Sequence, residues 1–92
     1  MAYQIVNPRV SKHNNIVTIT LTLQYVDDVT NEVVEKRDFS ARINWKREDA
    51  KTLILEMLKS EAAIAKAEID EYIQLKTVAA SMIEEIKKDL GV

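Results

Sequence analysis

WKREDAKTLILEMLKSEAAIAKAEIDEYIQLKTVAASMIEEIKKDL, residues 45–90, reads as helix from end to end and holds neither Gly nor Pro. Ala, Leu, Met, Glu and Lys dominate it, residues that lose little side-chain freedom in a helix. At about 100° per residue, Ile54, Met57, Leu58, Ala65, Ile69, Tyr72, Leu75, Ala79, Met82, Ile83, Ile86 and Leu90 share one broad stripe. Glu56, Lys59, Asp70, Gln74 and Lys88 fall on the other side. Asn44 is placed to cap the first turn, with Glu48 and Asp49 near the positive end of the helix dipole. Lys87 and Lys88 suit the negative end, and Gly91 can close the helix in a left-handed conformation.

Such a helix would run about 65–70 Å, at about 1.5 Å per residue, whereas a strand of about 11 residues spans about 36 Å. One small sheet cannot cover it. Two courses follow: the helix breaks and folds back at Ser60, or it continues and its distal part packs on another copy. Glu61 and Glu68 stand inside the apolar stripe, one heptad apart. Drift of the stripe would turn them to water; at an interface they would instead set register, at a cost in stability.

The remainder of the chain supplies the sheet. Ile16–Val26 alternates cleanly, with Val17, Ile19, Leu21, Leu23 and Tyr25 on one face and Thr18, Thr20, Thr22 and Gln24 on the other. One covered face and one wet face belong to an antiparallel sheet, and the helix stripe is the apolar surface available to cover it. Residues 3–10 form a first strand, confined to an edge by Pro8, and residues 11–15 a turn. Residues 27–31 form the next turn, begun by Asp28, with Asn31 left-handed. Residues 32–43 form a third strand of imperfect alternation, since Glu35 and Arg37 share a face with Phe39, Ala41 and Ile43; a bulge near Lys36 or Arg37 would resolve the conflict. The fold class is therefore α+β: a three-stranded antiparallel meander (1–44) followed by a long C-terminal helix (45–90), one domain over 1–92.

Ninety-two residues suffice for a modest core that association would reinforce. Cysteine is absent, so disulfides, thiolate nucleophiles and cysteine metal sites are excluded. The net charge of −2 gives no whole-chain case for nucleic acid or an anionic membrane. Residues 1–48 carry 7 Lys and Arg against 6 Asp and Glu, and the rest 6 against 9, so the helical half is the acidic one. No apolar run approaches the length of a bilayer span, and no secretory signal is visible, so a cytoplasmic site is expected.

Nothing in the sequence spells a catalytic, metal or cofactor site. His13 is the sole histidine and sits in a turn without a second ligand or a nucleophile to activate. Asp27 with Asp28 and Glu84 with Glu85 are adjacent pairs that point to different sides of their elements, where acid–base or metal chemistry needs convergence. A basic cluster at the strand-to-helix junction, Lys36, Arg37, Arg42, Lys46 and Arg47 beside Trp45, offers a nucleic-acid contact as an alternative function. Interleaved Glu35 and Asp38 weaken its field, and Trp45 also suits a lid on the end of the core. The outer strand edges and the Thr-rich face provide a second route to pairing between copies.

The opening MAYQIVN (1–7), the hairpin YVDDVTNEVV (25–34) and the Lys/Glu-rich terminal helix resemble small, mostly uncharacterised proteins encoded in phage and prophage genomes. Asn31 stands where such hairpins often carry Gly, and Glu61 and Glu68 interrupt the helix stripe. The resemblance implies a virion-associated or assembly role and carries over no functional residue. The sequence thus points to a non-enzymatic structural or assembly protein, without cofactor, that self-associates through Leu75, Ala79, Met82, Ile83, Ile86 and Leu90. Other assembly proteins are further candidate partners.

Overall fold

The computed structural model describes residues 2–92 as β1 (Ala2–His13), β2 (Ile16–Val26), β3 (Val33–Asn44) and α1 (Ala50–Leu90). The strands pair antiparallel in the order β1-β2-β3, the expected meander. Asn14 and Asn15 alone make the first turn, because β1 runs on to pair His13 with Ile16; Asn14 supplies the positive φ, at 56°. Two irregularities interrupt the strand pairing. Asn7 (φ 56°) and Pro8 together stand opposite Leu21, between the pairs Val6 with Thr22 and Arg9 with Thr20. That is a bulge in which Asn occupies the left-handed position, on an edge strand where Pro8 costs little pairing.

The second irregularity lies at Val34, since Tyr25 pairs with Glu35 and Val26 with Val33. It is not at Lys36 or Arg37. Arg37 therefore stays opposite Leu23 and Glu35 opposite Tyr25, both on the helix side of the sheet. Their charges are tolerated there because they meet each other, Arg37 Nη1 lying 2.9 Å from Glu35 Oε1. Asp27, rather than Asp28, organises the second turn: its Oδ1 accepts from the backbone N–H of Val29 (2.8 Å) and Thr30 (3.2 Å), which holds its carboxyl below the usual range. Asn31 takes the expected left-handed conformation, at φ 60°.

The helix is continuous through Ser60 and starts later than expected, at Ala50. Asn44 caps a turn instead: its Oδ1 accepts from the N–H of Lys46 at 3.0 Å. Asp49 stands at the helix entrance, but Arg47 holds its carboxylate (3.1 and 3.3 Å), leaving no side-chain cap. At the far end Gly91 (φ 74°) and Val92 donate back to Lys88 and Lys87, a Schellman closure.

Two apolar clusters join helix to sheet. Leu23, Phe39, Ala65 and Ile69 form one, with Tyr3, Leu21, Tyr25, Leu58, Ala62 and Ile73 around it. Ala41, Ile43, Ala50 and Ile54 form the other, beside Ile19 and Leu53. Ile69 is wholly enclosed. The helix lies along β3 and touches β2, so of the helix-side residues of β1 Tyr3 packs against the first cluster while Ile5 and Val10 stay exposed. An apolar cleft of about 160 Å³ remains between Ile5, Leu21 and Phe39 on the sheet and Leu55, Leu58 and Ala62 on the helix.

Candidate functional site

Where α1 leaves the sheet it is held on both flanks by polar contacts. On the β1 side the Tyr3 hydroxyl donates to Asp70 Oδ1, Lys66 Nζ reaches Asp70 Oδ2 at 2.9 Å, and the same ammonium lies 5.0 Å from the Tyr3 ring centroid. Burial, with the neighbouring Asp70 carboxylate second, pushes the Tyr3 phenol up to about 12. The Tyr3 hydroxyl, and after it Lys66, holds Asp70 below the usual carboxylate range. On the β3 side Glu68 Oε2 lies 3.7 Å from Arg37 Nε, and the Tyr72 ring sits between two cations, Arg37 at 5.7 Å and Lys76 at 4.8 Å. The backbone N–H of Lys36, then Arg37, lowers Glu35. These contacts tie the helix to β1 and β3 just before it leaves the sheet.

Beyond Ile73 the helix has no sheet beneath it, and every residue from 74 to 92 is exposed. That projection measures about 25 Å to Leu90 at about 1.5 Å per residue, and it stretches the molecule to 66 × 24 × 19 Å. The six residues expected to meet a partner are all on it. Leu75, Met82, Ile83, Ile86 and Leu90 are 53–70% exposed, and Ala79 is exposed between them. The row is apolar, exposed along its length and bordered by charge.

The single stripe seen in the sequence resolves into two arcs. Ile54, Leu58, Ala65 and Ile69 face the sheet, while Met57, Ile64 and Tyr72 run along an exposed flank that continues into the distal row. Glu61 and Glu68 lie on that exposed flank, turned to solvent, with Glu68 near Arg37.

The basic residues are not brought together. Lys36 and Arg42 pair across to Gln24 and Thr18 on the open face, about 20 Å apart along the strand. Arg37 faces the helix, engaged by Glu35 and Glu68. Lys46 is exposed in the turn, Arg47 is bound by Asp49, and Trp45, 47% exposed, does not close the core end as a lid. On the open face a cross-strand network ties all three strands: Arg9 donates to Thr22 Oγ1 (3.1 Å), Thr22 donates to Asp38 Oδ1 (2.6 Å), and Arg9 lies 3.2 Å from Asp38.

Sequence reasoning assigned Asp70 to the solvent side and missed its bond to Tyr3. The signal was thin, since only the three-dimensional course of β1 brings residue 3 to residue 70. Among the described residues no His, Cys, Asp or Glu cluster has the form of a metal site, and no helix is long and apolar enough to cross a membrane. Comparison with protein-family models, curated proteins and solved structures finds no match.

Proposed function

We propose that this protein is a non-enzymatic structural or assembly protein that associates with further copies of itself through the projecting half of α1. The carrying observation is the row Leu75, Ala79, Met82, Ile83, Ile86 and Leu90, left exposed on a helix that extends about 25 Å past its own sheet. A lone exposed Leu needs no explanation, but a continuous row on a helix without tertiary support does: an isolated helix of this length is marginal in water. A second chain would cover the row and supply the missing packing. The resemblance to phage and prophage proteins extends the reading to a role in an assembling particle, where other assembly proteins would bind the same surface.

Light scattering tests it. The wild type should give a mass above 10.5 kDa at micromolar to millimolar concentration, and the double variant Ile83→Asp, Ile86→Asp should return it to the monomer. A wild type that stays at one chain across that range refutes the reading.

A further inference from the structure

We infer that the partner on the projecting helix is one second copy running parallel to the first, so that both sheets sit at the same end and the two C-termini meet. This deepens the self-association proposed above and rests on it. The deciding feature is the charge on either side of the apolar row. Viewed down the axis at about 100° per residue, Lys76 and Lys87 border one flank, with Glu84 behind Lys87 and 3.8 Å from its Nζ, and Glu71, Glu85 and Asp89 border the other. The positions nearest the row are therefore cationic on one flank and carboxylate on the opposite one.

Twofold symmetry turns that asymmetry into a preference for direction. In a parallel pair each flank faces the opposite flank of its partner, so Lys76 of each chain reaches Glu71 of the other, the spacing of a cross-helix pair in a coiled coil. In an antiparallel pair like flanks meet: Lys76 would approach Lys87, and Glu71 would approach Asp89. The parallel arrangement is also free of collision. The sheet covers the side of α1 that continues into the Lys76 flank, so the twofold axis places the two sheets on opposite sides of the helix pair. Further toward the sheet, Glu61 and Glu68 occupy the exposed line beside Met57 and Ile64. Parallel copies would bring each of these glutamates near its own counterpart, so the contact begins at Tyr72 and the proximal helices diverge.

The absence of cysteine makes trapping direct. Val92→Cys, oxidised in dilute solution, should form a disulfide-linked dimer within minutes, because parallel chains place the new thiols side by side. Antiparallel chains overlapping on the same row would hold them about 30 Å apart, far outside disulfide reach. Charge exchange gives a second readout. Lys76→Glu should weaken dimerisation by roughly two- to tenfold, and Glu71→Lys added to it should restore affinity. Light scattering of the wild type should give twice 10.5 kDa, or 21 kDa. A 21 kDa dimer that resists trapping and tightens with Lys76→Glu overturns the parallel pair while leaving self-association intact. A larger mass also overturns the pair, and a monomer removes both proposals together.

Discussion

Replacing Ile86 by Ala separates stability from association, because in the free chain that side chain is already 56% exposed. Three carbons are removed, at about 0.8 kcal/mol for each fully buried one. Only the exposed part gains burial on pairing, so the loss is about 1.3 kcal/mol per chain and about 2.7 kcal/mol per dimer. At about 1.4 kcal/mol for each factor of ten, the dissociation constant should rise by about 100-fold. The fold of the single chain should hardly notice, since surface substitutions stay within about 0.5 kcal/mol. Sedimentation equilibrium reads the first quantity, and urea unfolding of fully dissociated protein reads the second. An unchanged dissociation constant, or a loss of more than about 1.5 kcal/mol in the dilute chain, would refute the assignment of Ile86 to an intermolecular surface.

The opposite result is expected at Ile69, which is wholly enclosed: Ile69→Ala should cost about 2–5 kcal/mol and lower the unfolding midpoint at every concentration. Tyr3→Phe should alter the alkaline limb of stability. The folded phenol lies near 12 against an ordinary 10, so its contribution is complete below about pH 10 and is lost as pH rises through 12. The wild type should therefore lose more stability than Tyr3→Phe over that interval, and parallel curves would contradict this. On the acid side Asp27, Glu35, Asp38, Asp49 and Asp70 are all lowered in the folded chain. Their contribution is full above the ordinary carboxylate range, near pH 4, and should fade as pH falls through the folded values; unfolding midpoints constant from pH 5 to pH 2 would deny it. Arg37 and Arg47 are engaged by their own carboxylates, so DNA or RNA should show no measurable binding in a low-salt titration. A salt-dependent affinity that weakens with Arg42→Ala and Arg47→Ala would overturn that expectation.

The two-residue alternation of Ile16–Val26 and the helical period of residues 54–90 were legible because burial on one face imposes them locally. The pairing order and the left-handed Asn31 and Gly91 belong to the same local grammar, whereas the sequence left open whether the helix breaks at Ser60, and the structure shows it continuous. Other features depended on contacts between distant residues. Nothing near Glu35 and Arg37 announces that Glu68 and Tyr72 will meet Arg37, so two charges on the helix side looked like a fault needing a bulge. The helix entrance slipped from Asn44 to Asp49 because both are good capping residues and residues 45–49 are all compatible with helix. What set the boundary is the short connector between β3 and α1, whose turn is fixed by Asn44 and by Trp45 bonding back to Asn15. The six candidate interface residues were found from periodicity plus length. The cleft beside Ile5 and Leu55 was not, because alternation says which face of a sheet is apolar but not which strands a helix crosses.

In the proposed assembly residues 74–90 are incompletely stabilised within one chain and become protected when a second chain covers them. Amide hydrogen exchange across a dilution series measures this at each position. Protection in residues 74–90 should rise steeply with protein concentration, while the amides around Ile69 retain a protected core at every dilution. Equal protection of the two regions at all concentrations, with no dependence on dilution, would contradict it.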